Sequence, residues 1–181
     1  MKNKIIKIIA SIIILAGLVG GFLAYQSTHA NGFKEYSELR DKQFLHKLFD
    51  DNLYWLYAGE PGGFSLDELL RTRKLTHGPA TYDVAMKLYV VDDKPVGFVA
   101  YYMKTFVKGI LLFLVVDKEQ RGHKYGEKLL QYACDQMFKK GAQVIQLLTR
   151  TNNSSALSLY KRFGFKEFHE EDGFVQLELV K

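Results

Sequence analysis

The chain has 181 residues, 48% of them hydrophobic and 14% aromatic, enough for one core of ordinary size and too few for two large domains. Its formal charge of +5 shrinks once Lys2, Lys4 and Lys7 are set apart: they precede the first apolar run and leave 22 basic against 20 acidic residues, too even a balance for a nucleic-acid footprint. A single cysteine, Cys134, excludes an intrachain disulfide framework and a zinc cluster of cysteines, while leaving the redox compartment open.

The first element is apolar. After Lys7 no formal charge appears until Lys34, and Ile8 to Tyr25 is interrupted only by the hydrophilic Ser11. Roughly 18 residues at about 1.5 Å rise give about 27 Å of helix, close to the thickness of a bilayer's hydrocarbon core. Residues 1–30 are therefore expected to form a single N-terminal transmembrane helix and linker, with Tyr25 at one interface and Lys7 snorkelling to the other. The alternative is a cleavable signal peptide, because Thr28 and Ala30 follow the apolar centre at cleavage-site spacing. The lysine bias puts the N-terminus inside and the domain outside, but it is small, and the side of the membrane stays open.

The folded domain is expected over residues 31–181. The polar, small residues 26–34 read as a juxtamembrane linker. From Tyr36 to Tyr57, apolar residues at Leu39, Phe44, Leu45, Leu48, Phe49, Leu53 and Leu56 follow helical spacing, ended by Gly59, Pro61, Gly62 and Gly63. Ser65 and Glu68 form a capping box for a short helix carrying Leu66, Leu69 and Leu70. Ala85–Val91 and Val96–Met103 flank Asp92, Asp93, Lys94 and Pro95 and predict an antiparallel hairpin. Ile110–Val116 is nearly unbroken apolar sequence, as in a strand buried on both faces. A helix follows over Gly126–Lys140, with Cys134 on its apolar stripe as a core residue rather than a nucleophile. Then come a strand (Val144–Thr149), a helix (Ser154–Phe163) and two closing strands (Phe165–Phe168 and Phe174–Val180).

Two stretches carry chemistry. In Leu114 to Gly126 (LVVDKEQRGHKYG) a buried strand runs into a basic, glycine-containing loop and then a helix. Such a junction aims backbone amides and the positive helix end at one spot, which suits a pyrophosphate, with Arg121, His123 and Lys124 adding charge. Ordinary solvated turns also hold glycine and lysine. In Asn153 to Phe165 (NSSALSLYKRFGF), Asn153 marks a helix start, Tyr160 lies one turn from Ala156, and Gly164 supplies a left-handed stop. Alone, this is a well-ended helix.

Together the two stretches resemble the GCN5-related N-acetyltransferase (GNAT) superfamily. Asn153, Ala156, Leu159, Tyr160, Gly164 and Phe165 match its N-x-x-A-x-x-L-Y-x-x-x-G-F phrase, and Arg121 and Gly126 match the ends of its pyrophosphate loop, preceded by Val116, Glu119, Arg121 and Gly122. The resemblance covers residues 33 to 181. It implies an α/β (α+β) GNAT fold, a mixed, mainly antiparallel sheet flanked by helices, here preceded by the anchor. It also implies acetyl-CoA as cosubstrate, no metal, and an amine acceptor on a small molecule or protein. Carried over, Leu114, Val115 and Val116 would bind the pantetheine through their backbone. Arg121, Gly122, His123, Lys124, Tyr125 and Gly126 would hold the pyrophosphate, Asn153 would contact the cofactor, and Tyr160 would contact it and protonate the departing thiolate after direct attack by the amine.

Two positions depart from the family pattern. Lys124 stands where the loop has its central glycine, and Leu148 stands where relatives acting on protein N-terminal amines carry a glutamate. Thr149, Arg150 and Asn153 are otherwise similar to those relatives. Asp117, Glu119, His46 and His77 remain as candidate bases or water-relay members, and an amine of lowered pKa would need only a water chain. The alternative function is a catalytically degenerate acyl-CoA-binding or interaction module.

Overall fold

The computed structural model describes residues 31–56 and 65–181. The elements run β1 (Gly32–Glu35), α1 (Glu38–Asp50), α2 (Leu53–Leu56), α3 (Leu66–Thr72), β2 (Lys74–His77), β3 (Ala80–Asp83), β4 (Ala85–Val91), β5 (Lys94–Met103) and β6 (Lys108–Val116). A 3-10 turn (Lys118–Gln120), α4 (Tyr125–Lys139), β7 (Val144–Arg150), α5 (Ser154–Phe163), β8 (Lys166–Glu171) and β9 (Phe174–Val180) complete the chain. The expected N-terminal membrane helix and the Gly59, Pro61, Gly62 and Gly63 helix stop lie outside the described residues. Among the described residues no helix is long and apolar enough to cross a membrane.

Seven strands make one sheet in the order β1-β4-β5-β6-β7-β9-β8, and β2 pairs with β3 in a separate hairpin. All neighbours are antiparallel except β6 and β7, so the sheet is mixed and mainly antiparallel. Helices cover both faces. Under α4 and α5 lie Val99, Leu111, Leu129, Leu130, Met137, Ile145, Tyr160 and Leu177; under α1 and α3 lie Leu45, Phe49, Leu69, Met86, Phe98, Phe113 and Val115. Helix α4 sits so close that a Cβ on Gly97 would come 2.8 Å from Leu129 Cδ1 of that helix and 3.0 Å from the Val115 carbonyl of β6, so only glycine lets helix and sheet meet there.

The hairpin of β4 and β5 turns through Asp92 and Asp93, both with positive φ, a two-residue turn whose twist matches that of the strands. Four readings change. The helix expected over Tyr36–Tyr57 is broken at Asp51 and Asn52 into α1 and α2. Asn52 turns its amide back to donate to the Leu48 carbonyl at 2.8 Å, the local competition that makes asparagine a poor helix interior residue. Leu39 and Leu53, expected inward, are exposed. Residues 32–34, expected as the end of the linker, form strand with Glu35 and pair with β4 from Gly32↔Val90 to Glu35↔Lys87. Finally, β6 alternates buried with half-buried residues rather than burying both faces.

Candidate active site

The parallel pair is where the sheet opens. Strands β6 and β7 pair only at Lys108↔Val144, Gly109↔Ile145 and Ile110↔Gln146, and from Leu111 onward they diverge. A bulge lies in β6 at this point: Ala100 faces Phe113 while Tyr101 faces Leu111. The extra residue, Leu112, joins Phe113 in packing toward α1, whereas Leu111 packs toward α4. A bulge bends its strand and sharpens the local twist, which turns β6 away from β7. The unpaired edge of β6 then faces the gap, since its other edge is bonded to β5 as far as Val116.

The gap is a cleft of about 550 Å³ lined by β6 from Leu111 to Val116, by Arg121, Gly122, Lys124, Tyr125 and Gly126, and by Asn153, Leu159 and Tyr160. That volume falls in the range of small-molecule and cofactor sites. Of the residues singled out in the sequence, Leu114, Val115, Val116, Arg121, Gly122, Lys124, Tyr125, Gly126, Asn153 and Tyr160 all lie on its wall. His123 does not. Its ring stacks on Tyr125 at 5.5 Å, with Nδ1 at 3.1 Å from the Arg121 carbonyl and 3.3 Å from that of Gln120.

The loop explains this split. Gly122 has φ +85 and Lys124, the residue before α4, has φ +61. The two left-handed residues curl residues 121–125 into a concave turn whose amides lead into the first turn of α4. The amides of that first turn have no partner within the helix, and they carry its positive end. The side chain at Lys124 is thus accommodated by the turn, at a conformational cost. Gly126 is already helical, and a Cβ there would make ordinary contacts, 3.4 Å from Leu159 and 3.8 Å from Val116, where α4 packs between β6 and α5.

Arg121 has a second task. Its Nη2 donates to Oδ1 of Asn52 at 2.7 Å and its Nε to the Val116 carbonyl at 3.4 Å. The guanidinium brings charge to the cleft while joining the loop to the junction of α1 and α2. Asn153 caps α5, accepting from the Ala156 amide at 3.3 Å and donating to Thr149 Oγ1 at 3.4 Å. Tyr160 projects from α5 into the same cleft, and its burial pushes the phenol above its ordinary pKa, so it keeps its proton.

None of the candidate bases reaches the cleft wall. His46 faces Asp67 at 3.1 Å on α1, His77 ends β2 on the outer hairpin, and Asp117 caps the 3-10 turn by accepting from the Glu119 amide. Among the described residues the only carboxylate on the wall belongs to Glu127, in the first turn of α4. Leu148, on the opposite strand, is half exposed to the gap. The sequence offered no sign of Asn52, Trp55 and Leu56, which α2 brings to the wall. Their contacts cross about half the chain; Arg150, for instance, donates to the Tyr54 carbonyl at 2.6 Å and stacks between the Tyr54 and Phe174 rings.

Known proteins resemble this chain in sequence and in fold. The family described as acetyltransferase (GNAT) family matches residues 42–165. N-alpha-acetyltransferase 30 of Schizosaccharomyces pombe is 41% identical over 61 residues, 34% of this chain and 41% of that protein. Its namesake in Saccharomyces cerevisiae is 37% identical over 59 residues, 33% of this chain and 34% of that protein. The matched part thus spans less than half the length of these curated relatives. Among solved structures, the PaiA N-acetyltransferase of Thermoplasma acidophilum in complex with coenzyme A superposes with a TM-score of 0.64 at 20% identity, covering 84% of this chain and 99% of that one.

Proposed function

The chain belongs to the acetyltransferase (GNAT) family, and we propose that it transfers the acyl group of acetyl-CoA directly to a primary amine, the N-terminal α-amine of a protein or peptide, while tethered to a membrane by residues 1–30. The observation that carries this reading is the splayed pair of β6 and β7, whose gap joins an unpaired strand edge, a concave amide loop and a buried phenol in one cleft. Acetyl-CoA would supply an activated thioester. The cleft fits its parts in order: an extended amide-bearing arm along Leu114–Val116, an anionic pyrophosphate at residues 121–126 and the start of α4, and the thioester end towards Tyr160.

The roles of the residues follow. The β6 amides on the open edge hold the acyl carbonyl and polarise it. Tyr160, kept neutral by burial, donates a hydrogen bond to the leaving sulfur and supplies its proton. The acceptor must arrive as free amine, and among the described residues no carboxylate stands at the Leu148 side of the gap to deprotonate it. This favours an α-amine over a lysine. With reference pKa values near 8 and 10.4, roughly a tenth of an α-amine is neutral at pH 7, against a few parts in ten thousand of a lysine. The names of the two fungal relatives point to the same acceptor class.

A second reading, an acyl-CoA-binding module without turnover, draws on Lys124 and on the lack of a carboxylate near Leu148. Incubation with acetyl-CoA and two peptides, one with a free N-terminus and no lysine, the other blocked at its N-terminus and bearing lysine, separates the readings. Thiol release with the first peptide alone is expected; acetyl-CoA binding without thiol release on any amine supports the second reading. The tether has its own test: the full chain should resist alkaline extraction from membranes, whereas recovery of a mature chain beginning at Asn31 would establish a cleaved signal peptide.

A further inference from the structure

The geometry points to a bilayer-docking rim at the mouth of the cleft: Leu53, Tyr54, Trp55 and Leu148 rest in the lipid–water interface, so that acceptors reach the cleft from the membrane surface. The inference rests on the tether proposed above.

Strand directions fix which end of the sheet faces the bilayer. Gly32, where β1 begins, pairs with Val90 beside the turn from Val91 to Lys94. On the same end, Gly97 pairs with Val116, the last residue of β6, and Arg150 ends the parallel β7. The Asn31 side chain accepts from the Asp92 amide at 2.6 Å, holding the chain there. Five residues separate Tyr25 from Asn31, a reach of at most about 22 Å over six steps. The nine residues of β6 extend about 30 Å, so this linker cannot bring the far end of the sheet to the bilayer.

The near end carries an unusual surface. Leu53 is 57% exposed, Tyr54 53%, Trp55 41% and Leu148 48%; Trp55 and Leu148 line the gap between β6 and β7, and Leu53 and Tyr54 precede Trp55 on the same short helix, α2. Four strand intervals separate β1 from β7, about 19 Å at regular spacing and somewhat more at this end, where β6 and β7 splay, so one bilayer can meet both. Tyrosine and tryptophan suit such a place, with apolar rings and polar edges; the Tyr54 hydroxyl already accepts from Asn152 Nδ2 at 3.0 Å. Of the exposed apolar residues elsewhere, the adjacent pair Phe106 and Val107 lies at the opposite end, before β6 begins, beyond the linker's reach.

Trp55 is the only tryptophan in the chain, so its emission reports on the rim directly. The full chain is reconstituted into phosphatidylcholine vesicles with ordinary or brominated acyl chains. Flotation after an alkaline wash reports the tether, and quenching by the brominated lipid reports the rim. Flotation with loss of Trp55 emission is expected. A chain carrying both Trp55→Phe and Phe106→Trp should float and remain unquenched, and Leu53→Asp should float with reduced quenching. Flotation with an unquenched Trp55, or with quenching in the double variant instead, overturns the docking and leaves the tether standing. Absence of flotation overturns both.

Discussion

Arg121 donates from Nη2 to Oδ1 of Asn52 at 2.7 Å, a bond that spans 69 positions of sequence and joins the amide loop of the cleft to the break between α1 and α2. Asn52 is buried and its amide nitrogen is engaged by the Leu48 carbonyl, so both ends of one side chain are in use. Removing it with Asn52→Ala leaves two polar groups without their partner and should lower stability by about 1–3 kcal/mol, read by urea denaturation. Arg121→Ala added to Asn52→Ala should then lower stability by less than it does alone. Strict additivity of the two would mean that the bond contributes nothing.

The loop makes two opposite predictions. Lys124 sits at φ +61 and Gly122 at φ +85 with open space around it. Left-handed backbone costs an L-residue about 1–2 kcal/mol, which glycine avoids. Lys124→Gly should therefore raise the melting temperature and leave acetyl-CoA affinity unchanged or improved. Gly122→Ala should lower the melting temperature, with no steric clash to share the blame. Equal and opposite effects on cofactor affinity, with stability unmoved, would mean that charge rather than backbone governs the turn.

Such contrasts explain what was legible in the sequence. Helix α5 was readable to the residue because its signals are local: Asn153 caps its own helix and Gly164 ends it in the left-handed region. The hairpin was legible as well, although its turn is the two residues Asp92 and Asp93 and not four, since Lys94 and Pro95 already pair in β5; the cleft residues between Leu114 and Gly126 were within reach because they follow one another along the chain. Strand β1 was not readable, since Gly32–Glu35 is ordered by pairing with β4 and by the stacking of Phe33 on Tyr132 at 4.2 Å. The placement of His123 was hidden for another reason. Its position beside the loop suggested a phosphate contact, but two left-handed neighbours turn the ring outward onto Tyr125. The α2 wall of the cleft was invisible because Asn52 breaks the periodicity that named Leu53 as a core residue.

Cys134 gives the pH dependence. It is buried on α4, and burial pushes its thiol from 9.0 up to about 12. The folded value lies above the unfolded one, so its contribution to stability is complete below about pH 9 and falls as pH rises towards 12. Cys134→Ala should reduce that alkaline loss, at the expense of a small cavity. In the native protein at pH 8 the thiol should resist a colorimetric thiol reagent and react only on unfolding. Rapid reaction of the folded chain would contradict the burial.

Tyr160 is the residue most directly tied to chemistry. It reaches the cleft from α5, and its phenol stays protonated because burial raises its pKa. A proton held this firmly is still useful to a thiolate departing a few ångströms away, since the thiolate develops its charge in the same desolvated space and accepts a hydrogen bond there. Tyr160→Phe keeps the ring that packs near Phe165 at 5.9 Å and removes only the hydroxyl. Turnover should fall by about 10²-fold, at the lower end of what a positioned general acid contributes, because a thiolate is already a fair leaving group. Cofactor affinity and melting temperature should hardly change. Because the phenol does not ionise near neutrality, the alkaline limb of the kcat profile in the native enzyme should not begin at the usual tyrosine value. Normal turnover with a lowered melting temperature in Tyr160→Phe would make Tyr160 a packing residue and move the proton donor elsewhere in the cleft.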